Sequence, residues 1–323
     1  MRTKWTMLLA LAAILIGGGA SAQEAGYPSR PVRILVPFSA GSLVDIIARM
    51  YGEKLSARLG QPVVVENRVG SGGIVASQAL VAANPDGYTF QMVSSSHAIN
   101  ATLYPKLPYD TANDMSCVAL VASSPTVIVV RKDLGVKTVA DFVALAKQRP
   151  GAMNYGSGGV GTAAHLAGEY FVSHTKTSFV HIPYKGVQEA VTEILGGRIE
   201  LAFPPVGLAL PHVRADRVGA LAVTGSERAP LLPDIPTAQE AGLPGFEYGI
   251  WYALVASSKT QRPVMERVAA EMRAVAALPE IREKLLQQGI LQKNVVLDEC
   301  DRYINAQIKE LGALVVASGA KPN

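Results

Sequence analysis

The chain has 323 residues, 49% hydrophobic but only 6% aromatic, with a formal charge of +4 at neutral pH. That length suits two compact lobes, since single cores seldom grow past about 250–300 residues, and their packing must rest on Ala, Val, Leu and Ile. Two of the cations are Arg2 and Lys4; without them 28 Lys and Arg face 26 acidic residues, and with no basic run the chain lacks the mark of a nucleic-acid partner.

Arg2 and Lys4 open an export signal. Residues 5–16 are an apolar stretch, and Ala20-Ser21-Ala22 has the small-residue pattern of a cleavage site. The stretch is short for a bilayer span, and no later segment reaches about 18 uninterrupted apolar residues. The expectation is a signal peptide over residues 1–22, cleaved after Ala22, and a mature chain in the periplasm. No cysteine follows the apolar stretch to carry a lipid.

The mature chain alternates strands and helices. "PVRILVPF" (31–38) is a near-continuous apolar run, as in a strand buried on both faces. Leu43, Ile46, Ile47, Met50 and Leu55 then recur at helical spacing, and Ser42 with Asp45 predicts a capping box at the helix start. "PVVVEN", "GIVASQALVAAN" and "GYTFQMVSS" repeat strand, helix, strand. The pattern restarts after "SSPTVIVVRKD": Thr138 and Asp141 cap a helix through Lys147, "AMNYGS" is a strand, and 162–175 is a helix. "SFVHIPY", "VQEAVTEILGG", "ELAFP" and "VGALAVTG" follow as strand, helix, strand, strand. After a further strand, "YGIWYALVAS", the reading predicts helices only, over 262–278, 279–288 and 297–317.

Two such runs predict an α/β fold of two doubly wound lobes. The final helical block is too thin to stand alone and is expected to pack on the first lobe. Residues 23–124 and 253–323 then form lobe 1 and residues 125–252 lobe 2, joined by crossover strands, the layout of a hinged cleft. Cys117 and Cys300 would form a disulfide in an oxidising compartment or remain two buried thiols. No cysteine or histidine spacing suggests a metal.

"NYGSGGVGTAAHLAGEYF" (154–171) carries Gly156-x-Gly158-x-x-Gly161, the spacing of a dinucleotide loop. That reading needs an acidic residue about 20 positions on for the ribose. The strand there offers His181, Tyr184 and Lys185 and no carboxylate. What survives is the physics: a glycine loop at a helix start presents N–H groups and the positive dipole end to an anion. "PFSAGSLVD" (37–45) repeats the device with Phe38, Ser39, Ala40, Gly41 and Ser42. If the lobes face each other, the two loops oppose across a cleft and hold a carboxylate without Arg. "VSSSHAIN" (93–100) brings Ser94, Ser95 and His97 to the same sheet edge as a third wall, while "NRVGSGG" (67–73) is a further glycine loop with a weaker claim.

At these residues the sequence resembles the Bug family, the exported solute-binding receptors of tripartite tricarboxylate transporters. The resemblance runs nearly end to end through "YPSRPVRILVPFSAGSLVDIIAR", "LGQPVVVENRVGSGG", "NYGSGGVGTAAHLAGEYF", "HIPYKGVQEAVTEILGGRIELAF" and "ALAVTGSERAPLLPDIPTAQEAGLPGFE". It implies a type II-like periplasmic binding protein that closes over a small carboxylate, without cofactor or metal, and passes it to membrane transporter subunits. It further implies that 39–42 and 157–162, including Ser157, Gly158, Gly161 and Thr162, grip the carboxylate partly through water, with His165 and 94–97 lining the pocket. Two positions depart from the family. The first loop reads Gly41-Ser42 where the family usually has two adjacent glycines. "AFPPV" puts Pro204 and Pro205 where an acidic or amide residue is frequent, an apolar wall suited to a less polar carboxylate such as an aromatic one.

Two other functions compete. A hydrolase would use Ser157 and one of five histidines, but a nucleophile elbow needs G-x-S-x-G and Tyr155 occupies the required glycine position. A sensor would present the same closed form to a kinase instead of a transporter. A monomer is expected in either binding role.

Overall fold

The computed structural model describes residues 26–322, so the expected signal peptide lies outside the described residues. The chain opens with β1 (Val32–Val36), α1 (Leu43–Leu59), β2 (Val63–Asn67), α2 (Ile74–Val81), β3 (Thr89–Ser94), α3 (Ser96–Leu103) and β4 (Met115–Pro125). β1 is buried at every position except Arg33, and β3 along its whole length, as the apolar runs demand of strands covered on both faces. β1 pairs in parallel with β2 and β3, and parallel neighbours require a crossover, which α1 and α2 supply.

β4 passes at Pro125-Thr126 directly into β5 (Val127–Arg131). Then come α4 (Val139–Gln148), β6 (Asn154–Ser157), α5 (Ala163–Thr175), β7 (Val180–Pro183), α6 (Val187–Leu195), β8 (Leu201–Ala202), α7 (Val206–Arg214) and β9 (Val218–Val223). The chain returns through β10 (Gly249–Ser257), α8 (Arg262–Ala276), α9 (Pro279–Gln287), β11 (Leu291–Val296) and α10 (Leu297–Ser318). Two sheets result, a six-stranded one of order β11-β4-β10-β3-β1-β2 and a five-stranded one of order β7-β6-β8-β5-β9. Two doubly wound α/β lobes follow, each on its own sheet.

The two crossings meet at one buried point. The Thr224 hydroxyl accepts the Thr126 N–H at 3.0 Å and donates to the Tyr248 carbonyl at 2.6 Å. Thr126 and Thr224 are both fully buried, so this junction is closed to water and its backbone groups are satisfied within it. Cys117 on β4 and Cys300 on α10 are joined as a disulfide, Cα–Cα 5.7 Å, which ties the C-terminal helix to the first sheet.

Several local expectations change. The Thr138–Asp141 capping box forms in both directions, each bond 3.1 Å. The Ser42–Asp45 box does not: Asp45 instead accepts from the Gly41 N–H (2.9 Å), Asn67 (2.8 Å) and Arg49 (3.1 Å), and the Ser42 hydroxyl is left unused. The C-terminal block is not helices only, because β11 pairs antiparallel with the edge of β4. α3 and α7 are additional helices. The stretch 93–100, expected to end the third strand, turns into α3 from Ser96, and α7 carries Pro211 inside its span, which hides its period.

Candidate ligand-binding cleft

Five helices start at the space between the lobes. The first-turn or cap residues of α1 (Ser42, Leu43, Val44), α3 (Ser96), α5 (Thr162, Ala163, Ala164), α6 (Gly186, Val187, Gln188) and α7 (Pro205, Gly207) all line one cleft of about 160 Å³. Each helix start carries N–H groups that its own backbone cannot bond. Convergence therefore makes the cleft electropositive, although none of its lining residues is charged among the described residues.

The α1 start has no side-chain cap. Asp45 draws in the Gly41 N–H, and Gly41 turns with φ +80°, a conformation that glycine adopts without strain. Burial works to raise the Asp45 pKa, but hydrogen bonds from Arg49, Gly41 and Asn67 and the charge of Arg49 outweigh it and hold the carboxyl below the usual range. With Asp45 so occupied, Ser42 lines the cleft while its hydroxyl is buried and without a partner. A buried hydroxyl of this kind costs free energy unless a ligand or water completes it.

The α5 start faces it from the other lobe. The Thr162 hydroxyl donates to the Gly159 carbonyl (2.7 Å) and accepts the His165 N–H (3.3 Å), so it acts as a true N-cap and fixes the loop. Ala163 and Ala164 then line the cleft with methyl groups that leave room for an anion to reach the backbone. Gly158 also lines it; a Cβ there would come within 3.1 Å of the Val187 nitrogen at the start of α6.

Phe38, Gly41, Ser42, Ser94, Gly158, Thr162 and Pro205 of the expected site thus come together around the cleft. The others sit elsewhere. Ser39 is half-buried, its carbonyl accepting the Ser42 N–H at 3.1 Å, Ala40 is exposed, and Pro204 uses its carbonyl to accept the Val127 N–H. Ser95 is fully buried, with its hydroxyl unpartnered. His97 lies behind Ser94 and Ser96 on a separate chamber of about 10 Å³, shared with Gln91 and Asn100; burial brings its pKa down to about 4. The "NRVGSGG" loop is no cleft wall either, since Gly72 abuts Val160 and Gly161 of the opposite lobe. Gly161, with φ +79°, likewise touches Asn100 across the interface.

Ser157 and His165 support the loop from behind. Ser157 Oγ lies 2.7 Å from His181 Nε2, and the His181 ring stacks on Tyr155 and against His165, centroids 4.7 and 4.4 Å apart. His165 Nδ1 accepts the Gly161 N–H at 3.5 Å. Burial lowers His165 to about 4; burial, with His165 adding to it, lowers His181 to about 3. Ser157 is 0% exposed and the His181 Nδ1 has no partner, so this serine–histidine pair has neither access to the cleft nor an orienting carboxylate.

Residues the sequence reading passed over include Gly186, Val187 and Gln188, for which "KGVQ" repeats the glycine-then-helix signal. Leu208, Ile250, Tyr252, Phe203 and Gln288 also line the cleft, with no local signal to mark them.

The model of the tripartite tricarboxylate transporter family receptor matches residues 47–320. The chain belongs to that family. A UPF0065 protein in the tcbD-tcbE intergenic region of Pseudomonas sp. (strain P51) is 38% identical over 265 residues, 82% of this chain and 79% of that one. Among solved structures, R. palustris Rpa4515 with adipate superposes with a TM-score of 0.87 at 30% identity, covering 92% of this chain and 100% of its own. The periplasmic binding protein BugD gives 0.87 at 29% identity, covering 92% and 100%. The chain is thus a solute-binding receptor of the tripartite tricarboxylate transporter family with a two-lobed α/β fold.

Proposed function

We propose that this chain is an exported receptor that captures a small carboxylate by closing its two lobes and delivers it to membrane transporter subunits. The observation that carries the reading is the opposition of α1 and α5, one from each lobe, around a cleft with an unpartnered Ser42 hydroxyl. A carboxylate there would accept from first-turn N–H groups, Ser42, and Ser94 or Ser96 on the third wall. Charge-assisted bonds of this type are about twice as strong as neutral ones. The bound adipate of Rpa4515 supports the ligand class.

The same reading includes export to the periplasm after cleavage near Ala22, a monomer, and lobes divided near 124/125 and 252/253. It includes no catalysis, which the occlusion of Ser157 favours. A sensor presenting the closed form to a kinase would use the same cleft, and the neighbouring genes discriminate that alternative.

Native mass spectrometry of the exported protein, followed by denaturation and identification of what is released, tests the reading. A small organic acid is the expected product. Release of a nucleotide would overturn it.

A further inference from the structure

We infer that the chain carries a second small-molecule site, across β10 from the cleft, for an organic ammonium ion such as a quaternary amine. The site goes beyond the carboxylate reading and does not depend on it. Side chains alternate across a strand: Tyr252 lines the cleft, and its neighbour Trp251 lines a different cavity of about 490 Å³. That cavity bridges the lobes. Tyr170 of α5 and Glu247, just ahead of β10, stand on one side, and Tyr303, Gln307 and Glu310 of α10 on the other.

Its chemistry is aromatic and anionic. Among the described residues neither Glu247 nor Glu310 belongs to an ion pair, and no Lys, Arg or His lines the cavity. The walls are held in place by contacts of their own. Tyr170 stacks on Phe246, centroids 4.3 Å apart, and its hydroxyl donates to the Gly245 carbonyl at 2.9 Å. Tyr303 packs edge to face with Trp251, whose indole N–H donates to Gln307 Oε1 at 3.1 Å. Gln307 Nε2 in turn donates to Glu310 Oε2, which orients that carboxylate. Burial and the charge of Glu310 raise the Tyr303 pKa, so the phenol and the carboxylate share one wall. A cation beside the half-buried Tyr170 and Tyr303 rings is attracted by their π-faces and by both carboxylates. A metal ion needs a denser set of oxygens, and the described residues contain no group of three His, Cys, Asp or Glu that could hold one. A bulky ammonium instead buries its carbon against Leu311 and Leu314.

Titration calorimetry of the full mature protein with choline and with its uncharged isostere 3,3-dimethylbutan-1-ol, at fixed ionic strength, tests this. Choline is expected to bind at one site, about tenfold more tightly than the alcohol. Equal affinities, or no binding of choline, would overturn the inference. Glu310→Gln keeps the shape of the side chain and removes its charge, and Glu247→Gln does the same at an exposed position. Each variant is expected to keep the parental melting temperature and to weaken choline several-fold, with the alcohol unaffected. Choline binding at parental strength in both variants would place it elsewhere on the protein and would equally overturn the inference. None of these outcomes bears on the carboxylate cleft, which the identity of the released acid tests separately.

Discussion

Gln188 Nε2 donates to the Gly41 carbonyl at 3.1 Å, joining two residues 147 positions apart across the mouth of the cleft. Gly41 belongs to the turn before α1 and Gln188 to the first turn of α6, so the bond exists only when the lobes are together. Closure is further marked by Gly72 against Val160 and Gly161 against Asn100. Ligand and these contacts therefore share one equilibrium, and each should stabilise the other.

Gln188→Ala should weaken ligand binding without altering the free protein's melting temperature. A hydrogen bond at this partly exposed position is worth about 0.5–1.5 kcal/mol, or roughly two- to tenfold in Kd. Calorimetry returning the parental Kd would show that the bond does not contribute to closure.

Ser42→Ala should leave the fold's stability nearly unchanged, because its hydroxyl makes no cap bond. Binding should fall by about 1.5–3 kcal/mol, the range for a hydrogen bond to a charged group. Denaturant midpoint and Kd, measured on the same preparation, separate the two effects; a large loss of stability with intact binding would contradict the assignment.

Gly161→Ala should act on closure. Its Cβ would lie 2.3 Å from Asn100 Oδ1, and the residue sits at φ +79°. The free protein should lose on the order of 1 kcal/mol from the left-handed backbone alone, while ligand affinity drops by a larger factor. Equal losses with and without ligand would mean that the contact is not tied to the closed form.

Stability should decline as pH falls through the histidine range. His97, His165 and His181 titrate in the fold near 4, 4 and 3, below the ordinary value of 6.5, so the unfolded chain takes up protons first. Their contribution is complete above about pH 6.5 and is lost progressively from there down to the folded values. Urea midpoints from pH 7.5 to 4.5 measure the slope, and His181→Gln should reduce it. A flat profile in the parent would refute the buried neutral state.

Reducing Cys117–Cys300 should lower stability substantially. The bond closes a separation of 183 residues, for which chain entropy predicts an effect of about 5 kcal/mol. Urea unfolding with and without reductant measures it, and coincident curves would mean that the thiols are not bonded.

Much of the fold was legible because its signals are local. β1 and β3 are apolar runs, α1 and α4 have helical period, and the lobes repeat the same strand–helix alternation. β11 escaped because it is a half-polar edge strand, Leu291–Val296, with exposed positions that leave no clean alternation. α7 escaped because Pro211 breaks its pattern. Ser42 and Asp45 have the residue types of a capping box, yet Arg49 and Asn67 compete for the carboxylate, and Asn67 comes from the neighbouring strand.

By itself the sequence determined that this chain builds two α/β lobes whose glycine loops open helices. Those features depend on the period of apolar residues and on the conformations glycine permits, and both are written within a few neighbouring positions. Only the tertiary structure decided which loop atoms face the ligand space. Gly158 and Gly161 stand three positions apart in one loop, yet one lines the cleft and the other touches Asn100. Leu208, Ile250 and Gln288 join the wall from distant elements. A cleft between lobes is made by surfaces that meet through space, so its lining depends on the approach of the two sheets and leaves no period along the chain.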